Sequence, residues 1–381
     1  MFKIPSEKNG LVKSIWRTTR HKGSCRCIDY GSLGEDLYSA GSDMIVKHCK
    51  ADTGVVVSKI ALADPSEAQV DSPDTPTTIC ALSPDVLLLG TDSGSLCVFD
   101  IRQNGAINPR PVRRFRPHSD YVSSLVPLPP SGTSTSGVPK QWVSTGETTV
   151  AYTDLRKGVV KQSEDQEDEL LCAALVPRGL GPKKNRDNSV LLVGANSGVV
   201  TMWDYGSWDD QQDRINVCTG GKGSAARGLA ESIDALVYVP EELGWGHYAM
   251  AGASNGLIYQ VNLKKKAVES VLKHDDEDGV SSVVMDANNR MISGGGLVVK
   301  IWEENMDGED RDEDKDSDDE EEPSSNEARG QKRSAESDSS DGGGEDSDDS
   351  DSPAGKRKKK KGKTRGKKWQ TAGPAAFPGI D

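Results

Sequence analysis

The 381-residue sequence has no run of 18 apolar residues, so no membrane-spanning helix is expected. Its first ten residues, MFKIPSEKNG, lack the apolar core that a signal peptide needs. No Asn-x-Ser/Thr acceptor occurs, which fits a chain that stays inside the cell. Aromatic residues amount to 5%, with four Phe, and apolar residues to 34%, which is thin for long packed helices. The seven cysteines, at 25, 27, 49, 80, 97, 172 and 218, are scattered. Cys25-Arg26-Cys27 misses the CxxC spacing of zinc and thioredoxin-type sites. They are expected to be reduced and to pack as small apolar residues.

Groups for chemistry are equally scarce. Of the five histidines, His48 and His247 sit in strand-like runs without a neighbouring nucleophile, and the other three begin repeats. "TGGKGS" (219–224) lacks the GxxxxGK[ST] spacing of a phosphate loop. "DEDKDS" (312–317) starts like a calcium loop, but Ser317 and Pro323 stand where Gly and Glu are required. No paired carboxylates can be placed in a cleft. The sequence thus points to a protein with no catalysis, no cofactor, no metal and no small-molecule substrate.

What the chain does have is 40 Gly, 19 Pro and a repeating pattern. "GANSGVVTMWDYG" (194–206) is a small-residue pair, a polar turn, an apolar strand, then an aromatic and an acid. The pattern returns in weaker form five times. The position of Trp203 is taken by Cys49, Phe99, Thr153, Val261 and Trp302. The acid after it is Asp204 here, Asp100 and Asp154 in two other units. Successive units are 50, 54, 50, 58 and 41 residues apart, and the surplus over a compact repeat falls in loops. Each unit also opens with its own apolar run and ends with one more, such as "GVVVSKI" or "RINVC". Four strands per unit is the arithmetic of a propeller blade. The tight turn favours Gly or Asn, which accept positive φ.

The Trp-Asp ends, the histidines near unit starts (His21, His118, His274) and the strand count resemble WD-repeat propellers. The resemblance covers residues 10–302 and implies an all-β fold. In such families a His pairs with an Asp, Ser or Thr beside the Trp; His21 with Asp43 fits that role. Most other units lack the set and are expected to be held by packing alone. The sixth unit stops at Trp302 without a fourth strand. Residues 10–17, "GLVKSIWR", have no blade of their own and are expected to clasp its edge, closing six blades. The rival is a seven-blade plan lacking one unit, with a gap.

Charge divides the chain further. Residues 1–302, the propeller, sum to −4. Residues 303–355 are acidic and poor in apolar groups, with a net charge of −18 by residue 351, so disorder is expected. Ser317, ahead of Asp318, Asp319 and Glu320, resembles an acid-directed kinase site. The basic tail, 356–381, begins with Lys356, Arg357, Lys358, Lys359, Lys360 and Lys361. That run reads as a nuclear localisation signal, with Lys332 and Arg333 as an upstream half. Trp369 and Phe377 follow it in an end expected to be disordered. Within the body, Arg110, Arg113, Arg114 and Arg116, then Lys183, Lys184 and Arg186, then Lys264, Lys265 and Lys266 form basic loops suited to solvent, RNA phosphates or acidic partners.

"IWRTTRHKGSCR" (15–26), "LYSAGSD" (37–43) and "VVSKIALA" (56–63), followed by an acidic block and a lysine run, are similar to the WD-repeat-protein-fifty-five family, the Jip-five proteins of fungi. That resemblance implies a nucleolar scaffold in ribosomal RNA processing and ribosome assembly, with pre-ribosomal assembly factors as partners; the basic loops and tail add RNA as a candidate partner, and the chain is expected to be monomeric by itself. It also implies a further blade before this text, where this chain has about ten residues. A chromatin or cullin-ligase adaptor is the alternative, because "FDIR" (99–102) and "TDLR" (153–156) place Arg102 and Arg156 as a ligase-docking end would.

Overall fold

The computed structural model describes residues 1–5, 12–62, 74–102, 110–130, 134–183, 188–218, 231–304 and 369–371. They form a six-bladed β-propeller, with one short 3-10 turn at Glu241–Leu243. Two short strands, β1 (Phe2–Lys3) and β2 (Lys13–Ser14), pair as a separate antiparallel hairpin.

The first sheet is β3 (Cys25–Tyr30), β4 (Asp36–Gly41), β5 (Ile45–Lys50) and β6 (Val56–Ala61). The second is β7 (Pro76–Ser83), β8 (Val86–Thr91), β9 (Leu96–Asp100) and β10 (Arg113–Phe115). The third is β11 (Val122–Pro127), β12 (Gln141–Gly146), β13 (Val150–Asp154) and β14 (Gly158–Gln162). The fourth is β15 (Leu170–Val176), β16 (Val190–Ala195), β17 (Val199–Asp204) and β18 (Asp213–Asn216). The fifth is β19 (Ile233–Tyr238), β20 (Tyr248–Ala253), β21 (Leu257–Asn262) and β22 (Ala267–Lys273). The sixth is β23 (Ser282–Met285), β24 (Met291–Gly295), β25 (Val298–Glu304) and β26 (Trp369–Thr371). Every sheet is an antiparallel meander in chain order.

Second and third strands lie under neighbours on both faces, so they read as unbroken apolar runs rather than alternating ones. In β17, Val200 and Met202 face the fifth sheet, while Trp203 packs on the third. Outer strands are half-covered and do alternate; β22 runs exposed, half-buried, exposed along its length. Register aligns the six units. Cys49, Phe99, Thr153, Trp203, Val261 and Trp302 each lie two residues beyond the partner of one equivalent position, which is Ser39, Leu89, Ser144, Val193, Ala251 or Ser293.

Five apolar clusters seal the first sheet to the second, the second to the third, and so on to the sixth. The innermost strands pack in the same order, from β3 to β23. Among the described residues, no comparable packing joins β23 back to β3. At that junction, Met1 and Trp16 cover Leu37 and Cys49 of the first sheet. The Trp16 indole N–H donates to the Ala51 carbonyl at 2.9 Å, and Arg290 beside the sixth sheet donates to the Pro5 carbonyl at 2.7 Å. The described residues of the N-terminal segment thus touch both walls of the junction.

This overturns the expected clasp. Lys13 and Ser14 pair with Phe2 and Lys3, not with β25; Gly10 and Leu11 lie outside the described residues. The fourth strand of the sixth sheet is Trp369–Thr371, with Glu304 opposite Trp369 and Trp302 opposite Thr371. Trp369, expected in a disordered end, is 5% exposed and packs on Trp245 at 5.0 Å between ring centres. Each Trp goes where its apolar face is covered: Trp369 beside Trp302 and Met291 of the sixth sheet, and Trp16 of "GLVKSIWR" against Leu37 and Cys49 of the first.

Candidate functional site

A set of structural positions holds the loops that can meet a partner. His21 Nδ1 lies 2.8 Å from Asp43 Oδ1, and His21 Nε2 2.9 Å from Ser39 Oγ. Asp43 also accepts from the Lys22 backbone N–H at 3.0 Å. Burial alone would raise the Asp43 carboxyl, but these bonds outweigh it and hold it below the usual carboxylate range. Asp43 thereby fixes a turn in which Met44 takes φ 56°, where the fourth sheet has Gly198 at φ 77°. His118 sits between two hydroxyls, Thr149 Oγ1 and Ser144 Oγ, both at 2.8 Å. Burial lowers its pKa to about 4, so the ring is neutral. His274, also lowered by burial, reaches Ser293 Oγ at 2.9 Å, and that hydroxyl accepts from the Trp302 indole at 2.7 Å. Trp203 has no His; its indole donates to Thr201 Oγ1 at 2.9 Å.

The remaining sheets are not held by packing alone. In the second, Asp74 accepts from both the Ser93 backbone N–H and Oγ at 2.9 Å. In the fourth, Asp168 accepts from the Ser197 N–H at 3.2 Å and from its hydroxyl. In the fifth, Glu231 accepts from Ser254 Oγ at 2.8 Å. An acid two residues before the innermost strand thus does from the loop what His21 and Asp43 do together. The sequence signal was there, as an acid before the strand and a Ser in the turn, but it is the reverse of the arrangement sought.

The acids that close the third strands behave differently from one another. Asp100 is bonded by the Arg102 guanidinium and its N–H, which pull its pKa to about 2. Asp154 accepts from Gln141 Nε2 and from the N–H groups of Arg156 and Lys157; burial opposes, yet the carboxyl stays below its usual range. Asp204 has its pKa raised, by burial and then by Asp213. Arg102 of "FDIR" donates to Asp100 and its side chain stays exposed.

The basic residues differ in what holds them. Lys265 and Lys266 are paired with Glu269 and Asp213. Arg113 donates to the Arg156 carbonyl at 3.1 Å, and Arg114 lies against Cys97. Arg110, Arg116, Lys183 and Lys264 are exposed. Beside the Arg113 contact is a hollow of about 300 Å³ lined in part by Pro129, Pro130, Lys140, Arg156 and Lys157. Lys140 and Lys157 make no ion pair among the described residues there, and the Asp154 carboxylate is already occupied by its own bonds. Lys184, Arg186, "TGGKGS", the acidic block with Ser317, Lys332 and Arg333, and the run Lys356–Lys361 lie outside the described residues. No group of three metal-binding side chains occurs among the described residues.

No protein-family profile matches the chain. Its sequence is similar to curated fungal proteins. It is 45% identical over 309 residues to the WD repeat-containing protein jip5 of Aspergillus niger, covering 80% of this chain and 70% of that one. It is 47% identical over 314 residues to the JIP5 protein of Coccidioides immitis, with coverages of 80% and 73%. It is 44% identical over 306 residues to the JIP5 protein of Phaeosphaeria nodorum, with coverages of 79% and 70%. A WD-repeat ring in the structure and matches of this extent lead to one conclusion: the chain belongs to the fungal Jip5 family of WD repeat-containing proteins.

Proposed function

We propose that the protein is a non-catalytic scaffold of the nucleus, mainly of the nucleolus, that acts in ribosome biogenesis and ribosomal RNA processing through contacts with assembly factors and RNA. The observation that carries this reading is a rigid propeller joined in one sequence to an acidic block and a lysine run. Sheets that clamp their own turns present loops with little reorganisation, which suits protein binding. The run 356–368 holds ten basic residues and no acid, as a nuclear address requires. Lys140, Lys157 and Arg116, which make no ion pair among the described residues, offer phosphate contacts on the ring itself.

Deleting residues 356–368 from a fluorescently tagged full chain is expected to shift it from nucleus to cytoplasm. A deletion protein that stays nuclear would refute the address. The intact tagged chain is expected to sediment with pre-ribosomal particles and to leave them after RNase treatment. Co-purification with a cullin adaptor instead of particles would overturn the scaffold reading.

A further inference from the structure

We infer that the hollow on the third sheet is a binding site for an acidic peptide segment, whose clustered carboxylates it takes on Lys140, Arg156 and Lys157. Neighbouring sheets end their third strands with matching text, Asp100-Ile101-Arg102 and Asp154-Leu155-Arg156. Each Asp stands opposite the first residue of its second strand, Val86 in one sheet and Gln141 in the other. Val86 has nothing to donate, and the Arg102 guanidinium closes on Asp100, with Nε 3.0 Å from Oδ1. Gln141 changes the outcome. Its Nε2 donates to Asp154 Oδ2 at 2.9 Å, and the N–H groups of Arg156 and Lys157 donate to Oδ1 at 2.9 and 3.1 Å. Both oxygens are then taken, so the Arg156 guanidinium is left off the carboxylate that its counterpart uses. Arg113 Nη1 donates to the Arg156 carbonyl at 3.1 Å and pins the turn.

The hollow of about 300 Å³ beside that turn gathers Lys140, Arg156 and Lys157 with Pro129, Pro130 and Val138. Its size lies at the small end of ligand sites, which run from roughly 300 to 1,000 Å³. Among the described residues none of its three cations makes an ion pair, whereas Lys50, Lys161, Arg178, Lys265, Lys266 and Arg290 each have one. The one carboxylate in the lining is Asp154, held ionised by its bonds, so three positive charges face a single negative one. An anion is the ligand that this imbalance favours. Arg156 can take a carboxylate with both arms of its guanidinium, and the lysines add charge without a fixed geometry. Single-stranded RNA is read by stacking its bases on aromatic rings, and no aromatic side chain lines the hollow among the described residues. Pro and Val walls beside cations suit a peptide instead. Gln141 is the positioning residue of this site, because it keeps Arg156 off Asp154.

As a meeting point with a partner the hollow rests on the scaffold reading, but its chemistry can be measured by itself. The probe is a fluorescein-labelled peptide copying residues 316–322, DSDDEEE. Fluorescence anisotropy with the full chain is expected to show saturable binding that weakens as salt is raised. Arg156→Ala is expected to weaken it about threefold to fivefold, and Lys140→Glu combined with Lys157→Glu about tenfold or more, with the melting temperature unchanged. Gln141→Val lets Arg156 close on Asp154, so it is expected to weaken binding in the wild type and to add nothing in Arg156→Ala. Lack of saturable binding overturns the proposal. So does equal binding by the charge-reversed chain, or equal binding of the same peptide with its acids replaced by Asn and Gln. A Gln141→Val loss undiminished in Arg156→Ala overturns the positioning role. A short oligouridylate that binds more tightly, and with the same dependence on Arg156, assigns the hollow to RNA and overturns the peptide. The chain's own acidic block and a partner's acidic segment share one chemistry. Asn and Gln in place of Asp318, Asp319, Glu320, Glu321 and Glu322 in the full chain separate the two. Unchanged binding of the probe assigns the site to a partner's segment, tighter binding assigns it to the chain's own, and both support the site. Failure of particle sedimentation with peptide binding intact would count against the scaffold reading alone.

Discussion

Acidification should weaken this ring through His118 before it touches any carboxylate. The side chain is 3% exposed, and burial takes its pKa from 6.5 to about 4. The folded value lies below the unfolded one, so between those values the unfolded chain binds a proton that the folded chain excludes. The stability this supports is present above about pH 6.5 and is lost as pH falls toward 4. A shift of this size corresponds to about 3 kcal/mol in full, of which about 2 kcal/mol is lost on going from pH 7.5 to pH 5. His274, lowered by burial too, adds to the loss in the same direction. To isolate His118, urea unfolding of the wild type and of His118→Asn should be compared at both pH values. Asn does not titrate, so the stability gap between the two proteins should narrow by about 2 kcal/mol at pH 5. A gap that stays constant would show that the ring is not held neutral between Thr149 and Ser144, and the reasoning from burial would fail.

Other outcomes follow from single contacts. Trp369→Ala removes the side chain packed on Trp245 and should cost about 3–5 kcal/mol in urea unfolding, while a cost near zero would mean that the tail strand is no part of the core. Asp74→Ala leaves the Ser93 N–H without its acceptor, while the hydroxyl keeps Ser95 Oγ at 2.9 Å, and should cost about 1–3 kcal/mol by the same measurement. Trp302→Phe keeps most of the volume but loses the bond to Ser293, for about 1 kcal/mol.

The repeat could be read from the sequence because it is local. A strand covered on both faces, a turn needing positive φ and one large residue at a fixed offset leave a mark within a dozen residues. That is why Cys49 and Val261 could be aligned with Trp203 although neither is aromatic. Ring closure left no such mark. Trp369–Thr371 joins β25 across the charged stretch 305–368, and three residues carry no periodicity. The cost of closing so long a loop grows only slowly with its length, so sequence distance argues little against it. "GLVKSIWR" had the better strand pattern and still pairs elsewhere, with its Trp16 held by Ala51 and Cys49 of the first sheet. The acid-to-Ser clamps were missed for another reason. They invert a known arrangement, and Asp74 and Ser93 are far apart in sequence until the turn brings them together. The basic loops were visible as charge, but which cations are free depends on partners such as Asp213 and Glu269, supplied by neighbouring strands.

Six sheets, none able to bury its faces alone, share one propeller that serves as a rigid platform. Native-state hydrogen exchange followed by mass spectrometry tests it most directly. Slow exchange is expected in the second and third strands of all six sheets, β4 and β5 through β24 and β25, with the sheets opening together under rising denaturant. Two groups of sheets that open independently, or a sixth sheet that exchanges freely while the others stay protected, would contradict it.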